Sequence, residues 1–173
     1  MSLEEAMAEI VERHRLHDLV VTLHRGFDRL DDDLIVASIV PGCRYGAREW
    51  ADPEDFAHHV RRMHTEAFGA SGLALRYTQH AITNERYELA GDTAHGECYA
   101  TFRGVTVDNE LVSMILRYVD RYVRVDGTWR LAERDPLVEW ASPRLRRPAP
   151  QGSLVSLRDR NDRSYRHQGE TST

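Results

Sequence analysis

The sequence predicts an α+β domain in which about three N-terminal helices pack against a curved, mixed but mostly antiparallel sheet. Three observations predict it. Apolar residues recur with helical spacing through the first third of the chain, and from about Leu73 the period falls to two. The later segments are joined by short turns at Ala90-Gly91-Asp92, Asp108-Asn109 and Asp126-Gly127, which suit antiparallel neighbours. Strands of this length bend, and a bent sheet closed on one side by helices encloses a cone, a natural seat for a mostly apolar ligand.

Residues 3–27 form the first predicted helix, with Leu16, Leu19, Val20, Leu23 and Phe27 as its apolar stripe and Gly26 weakening its last turn. Asp31 is the expected cap of a short second helix containing Leu34, Ile35, Ile39 and Val40, with Asp32 and Asp33 in its first turn and Pro41-Gly42 as its stop. A short strand follows. Asp52-Pro53-Glu54-Asp55 then opens a third helix running to about Phe68, with Phe56, Val60 and Met63 facing inward and 69–72 as the exit loop. Strands are expected over 73–90, 93–105, 111–125 and from Trp129 to Trp140, where Pro136 suits an edge or a strand end. The pattern stops near Ala141. This divides the chain into a domain at 1–140 and an arginine-rich tail at 141–173 that packs on its own subunit or a neighbour.

Composition narrows the function. At 173 residues the chain fits one domain. No apolar run approaches the roughly 18 residues of a membrane span, and the start lacks a secretory pattern, so a cytoplasmic protein without membrane contact is expected. All 23 basic residues are arginine, which excludes a catalytic lysine. The net charge of −5 is split between an acidic body and a basic tail, and an acidic body argues against nucleic acid as a partner. Cys43 and Cys98 read as small buried hydrophobes, and His58, His59 and His64 lack acids at matching positions, so no metal and no cofactor is expected.

Polar residues on otherwise apolar faces are the candidate site. His80 can accept a proton near neutral pH, and strand alternation puts Thr78, His80, Ile82 and Asn84 on one face. Asp28, at the end of the first helix, is the type of group that fixes an imidazole's tautomer and stabilises its cation. Tyr118 and Asp120 share a face of a later strand. Tyr118 can donate to a developing oxyanion, whereas Asp120 suits a cross-strand pair with an arginine. Arg134 can offer its planar fork to a substrate oxygen or to a carboxylate, and His24 lies one helical turn before Asp28. A polar network inside a binding domain uses the same residues.

Taken in order, the fragments Leu23-His-Arg-Gly-Phe-Asp28, Gln79-His-Ala-Ile-Thr-Asn84, Ala90-Gly-Asp-Thr-Ala94, Gly96-Glu-Cys-Tyr99 and Arg117 through Arg134 resemble the SnoaL-like family of the nuclear-transport-factor-2-like (NTF2-like) superfamily. The resemblance implies an α+β cone and, nearest in pattern, the dehydratase and dehydrochlorinase branch. There Asp28 and His80 match a catalytic pair, Asn84 completes the histidine motif, and Arg124 falls near a pocket arginine. A lysine that the dehydrochlorinase carries early in its first helix has no counterpart. The implied function is a cofactor-independent lyase of dehydratase type, or an isomerase or cyclase, acting on a small hydrophobic cyclic substrate. His24, Asn84, Tyr118, Asp120, Arg124 and Arg134 are then its substrate-binding set. The alternative is a non-catalytic binding or scaffold module, including one like the small subunit of a ring-hydroxylating dioxygenase. The superfamily habit, with Leu111, Ile115, Val119 and Val123 on the outer sheet face, implies a homodimer or homotrimer.

Overall fold

A computed structural model describes residues 2–66, 68, 72–145, 158–162 and 164–165. Its elements are helix α1 (Leu3–Arg29), helix α2 (Asp32–Ser38), strands β1 (Ile39–Tyr45) and β2 (Arg48–Trp50), and helix α3 (Pro53–Thr65). They are followed by strands β3 (Leu75–Ala90), β4 (Thr93–Thr106), β5 (Leu111–Val125) and β6 (Thr128–Ala141). The six strands form one sheet in the order β2-β1-β6-β5-β4-β3. Only β1 and β6 run parallel; the other neighbours are antiparallel. Among the described residues no helix is long and apolar enough to cross a membrane.

Local chemistry sets the helix starts. Ser2 and Glu5 form a reciprocal capping box on α1, Asp31 accepts from the Leu34 amide, and Asp52 accepts from the Glu54 amide just ahead of Pro53. Leu16, Val20, Leu23 and Phe27 of α1 are buried against the concave sheet face, where Cys98, Ala100, Phe102, Leu116, Tyr118 and Tyr122 meet them. Gly26 does not end α1 early. A Cβ there would lie 2.8 Å from the Ile35 side chain, so the missing side chain is what lets α2 fold tightly back on α1.

The second helix is shorter than its sequence pattern suggests. It ends at Ser38, and Ile39, Val40 and Pro41 belong to β1. β-branched residues favour the extended state, and pairing of Ile39 with Leu131 on β6 supplies the partner that a local reading lacks. Pro136 lies in an interior strand, yet at its position β6 is an edge. β1 has already ended at Tyr45, opposite Arg134, so no ladder amide is missed.

Behind the sheet, on its convex face, the described part of the tail folds back on its own subunit. Arg117 donates to both carboxylate oxygens of Asp162 at 2.8 and 2.6 Å, and both side chains are buried. Val119 is buried on this face, whereas Leu111 and Ile115 stay exposed. The convex cleft bounded by Glu97, Arg117, Glu139 and Tyr165 has a volume of about 790 Å³.

Candidate active site

Asp28 sits at the C-terminal end of α1, beside the free edge of β3, and three donors converge on it. Its Oδ1 accepts from His80 Nδ1 at 2.7 Å and from Thr78 Oγ1 at 3.0 Å, and its Oδ2 accepts from the His80 amide at 2.9 Å. β3 is the last strand of the sheet, so that amide has no neighbouring strand on its outward side, and the helix carboxylate satisfies it. Burial pushes the Asp28 carboxyl upward, but the hydrogen bonds from His80 and Thr78 outweigh it and hold the group below its ordinary value. With Nδ1–H pinned to a carboxylate, His80 presents Nε2 as its basic nitrogen.

The imidazole of His80 lies among rings. Phe102, His24, Phe27 and His64 surround it at centroid distances of 5.1, 5.2, 5.9 and 6.4 Å. This wall shields the ring from bulk water. His24 is held neutral. Burial and the charge of Arg134 depress it well below the ordinary histidine value. Its Nδ1–H donates to the Val20 carbonyl at 2.7 Å, and its Nε2 accepts from Arg134 Nη1 at 3.1 Å. Both nitrogens of His24 are therefore engaged.

Arg134 is fully buried, and its fork is bidentate to Asp120 at 2.8 and 2.7 Å. Tyr122 Oη donates to the same carboxylate at 2.5 Å. Gly96 makes room for that ring, because a Cβ there would lie 2.7 Å from it. The Arg134 guanidinium carbon stacks 4.1 Å from the Tyr118 ring centre, and the hydroxyls of Tyr118 and Tyr45 interact. Burial first, then Tyr45, raise Tyr118, which keeps its phenol protonated as a donor.

The fold thus gathers Asp28, His80, His24, Tyr118, Asp120 and Arg134 on one side of the sheet. Two expected residues lie elsewhere. Asn84 is exposed on the convex face, lining the cleft with Glu97 and Arg117. The β3–β4 register slips between Thr83 and Arg86, and Asn84 takes a left-handed φ of 53°, so the alternation that placed it with His80 breaks there. Arg124 pairs with Glu12 and Asp92 and stacks on Trp129. Glu12 precedes Asp28 by 16 residues of one helix, about 24 Å of rise, so Arg124 is at the opposite end of the cone.

Residues assigned no role in this site from sequence also lie here: Thr78, read only as sharing the His80 face, on the carboxylate; Tyr45 from β1; and His64, weighed only as a metal ligand, buried in the last turn of α3. His64 follows Val60 by four residues on the inward stripe, and that spacing was its only signal. Among the described residues no group of three or more His, Cys, Asp or Glu side chains converges as a metal site.

Together, the cone, its helical cover and the sheet order define an α+β domain of the NTF2-like type. Residues 8–135 match the SnoaL-like domain, and the chain belongs to that family. Solved structures with the same fold include a scytalone dehydratase-like protein from Novosphingobium aromaticivorans DSM 12444 (14% identity, 79% of this chain and 90% of that one, TM-score 0.68). Hexachlorocyclohexane dehydrochlorinase LinA-type3 from Novosphingobium barchaimii LL02 is another (18%, 80% and 93%, TM-score 0.65). A third is an aromatic ring hydroxylase-like protein from Novosphingobium aromaticivorans (18%, 77% and 93%, TM-score 0.64). No protein with a curated description matches the sequence.

Proposed function

We propose that this protein is a cofactor-independent lyase or isomerase that removes a proton from carbon in a small hydrophobic cyclic substrate. The observation that carries this reading is the 2.7 Å hydrogen bond from His80 Nδ1 to Asp28, which leaves Nε2 basic among aromatic rings. Nε2 takes the proton, and the C–H electron pair becomes the new π bond. In an elimination the leaving group departs with its bonding pair and receives a proton from the imidazolium. In an isomerisation the proton returns to a different carbon. Asp28 offsets the charge that forms on His80, and the hydrogen-bonded hydroxyl pair of Tyr118 and Tyr45, held protonated, turns one O–H toward a developing oxyanion. His24 does not share that role, since both its nitrogens are occupied, and Asn84 and Arg124 are out of reach. The dehydratase-like and dehydrochlorinase structures share this fold, which can therefore carry lyase chemistry, and this supports the reading.

The test is hydrogen–deuterium exchange at carbon, followed by NMR in D₂O over a panel of cyclic ketones and β-hydroxyketones. The wild type exchanges the acidic position of the cognate class. His80→Ala and Asp28→Asn lose about 10²–10⁴-fold in rate with unchanged circular dichroism. Equal exchange by folded variants and wild type removes the mechanism.

A non-catalytic hydrophobe-binding module is the second reading, and the rings of Phe27, Phe102 and His24 packed around His80 favour it. It predicts binding of panel members with no exchange by any variant. Under either reading the exposed Leu111 and Ile115 support self-association through the convex face as a dimer or trimer.

A further inference from the structure

We propose that His64 is a second ligand-reading imidazole of this site and that it hydrogen-bonds a hydroxyl group carried by the substrate. The proposal rests on the reading of the His80 surroundings as the ligand site, and it narrows the ligand class.

Helix α3 brings the ring inward from its last turn. His64 is 3% exposed, its ring centre is 6.4 Å from His80, and Phe68 and Phe102 flank it at 5.5 and 6.4 Å. Its Nδ1 is buried and has no hydrogen-bond partner among the described residues. Folded proteins rarely leave such an atom unpaired, because burial strips its water without a replacement. His24, in the same ring cluster, shows the usual solution with both nitrogens matched. A leucine at position 64 would fill the space between Phe68 and Phe102 with no polar atom to satisfy. The imidazole is therefore matched to a group that arrives with the ligand.

The chemistry of the ring selects that group. Burial, then the neighbouring charge of His80, hold His64 neutral, with its pKa lowered to about 4, and the Phe27 carbonyl only partly opposes this. A neutral imidazole has one donating and one accepting nitrogen. A hydroxyl both donates and accepts, so it satisfies Nδ1 in either tautomer. A carbonyl oxygen satisfies only the protonated Nδ1, and an apolar substituent satisfies neither. The neighbourhood of His80 then places the hydroxyl close to the carbon that loses its proton. This favours dehydration of a cyclic alcohol, or isomerisation of a hydroxylated ring, over loss of an apolar leaving group.

The test uses 2-naphthol and naphthalene as probes, with dissociation constants measured by calorimetry on the wild type and His64→Leu. The expected result is a preference for 2-naphthol in the wild type that falls about tenfold in His64→Leu, the loss of one matched buried hydrogen bond. Naphthalene affinity is kept. In the wild type, ¹⁵N spectra of the side chains should show the His64 Nδ1 resonance moving with 2-naphthol and staying put with naphthalene. An unchanged preference in folded His64→Leu, an unmoved resonance, or no hydroxyl-dependent binding to the wild type overturns the proposal. None of these readouts needs turnover, so loss of the proton-transfer mechanism would leave them standing.

Discussion

Arg134 illustrates how one buried residue organises the others. Burial works against its charge, and Asp120 outweighs that cost and holds the guanidinium protonated. The pair is fully enclosed, so its value lies in what breaking it leaves behind. Arg134→Met strands the Asp120 carboxylate and removes the donor to His24. Urea unfolding should register a loss of about 3–5 kcal/mol. The double substitution Arg134→Met with Asp120→Leu should recover most of it, since an apolar pair of similar volume carries no desolvation penalty. A single-variant loss within about 1 kcal/mol, the value of an exposed ion pair, would show that water reaches the pair. These partners were only partly legible in sequence. Residue type marked Asp28, His80, Asp120 and Arg134 as unusual on apolar faces. Their pairing is a property of sheet order, which brings β6 beside β5 and the end of α1 beside β3.

Elements were legible where local chemistry decides them and illegible where a distant strand does. The caps at Asp31 and Asp52 and the Asp126-Gly127 turn act within a few residues, and they gave two helix starts and the last hairpin. The β1 boundary depends on β6, about 90 residues away, and was read as helix. The bulge in β3 is a second such case, and it governs the site. By inserting an extra residue it turns Glu85 and Tyr87 inward, where Tyr87 donates to Glu85 at 2.5 Å and Glu85 meets His17 of α1 at 3.0 Å. Asn84 is suited to the left-handed conformation that this needs. Asn84→Gly should therefore leave thermal stability within about 0.5 kcal/mol, while Asn84→Val should lose about 1–2 kcal/mol because a β-branched residue resists positive φ. Equal stability for the two variants would mean that the bulge is not held in that conformation.

At the scale of the molecule, the concave side of the sheet is a dry compartment and the convex side a charged one centred on Arg117. This contrast fixes how the fold responds to acid. His24 and His64 are both buried on the concave side with pKa values lowered from the ordinary 6.5, the latter to about 4. The unfolded chain therefore binds more protons than the folded one between those limits. Stability rises with pH across the window and is lost as pH falls from about 6.5 toward about 4. Asp28 acts lower down: its lowered pKa adds stability above the unfolded value near 3.8 that disappears as pH falls below it. The two windows are separable by mutation. His64→Leu removes a proton-binding site only of the unfolded state. Its stability relative to wild type should climb by on the order of 3 kcal/mol between pH 7 and pH 4, with His24 accounting for the slope that remains. Chemical unfolding at pH 7, 5.5 and 4.5 checks this directly. Parallel pH profiles for the variant and the wild type would mean that His64 already takes up its proton in the folded state, and the dry wall around His80 would then have to be wet.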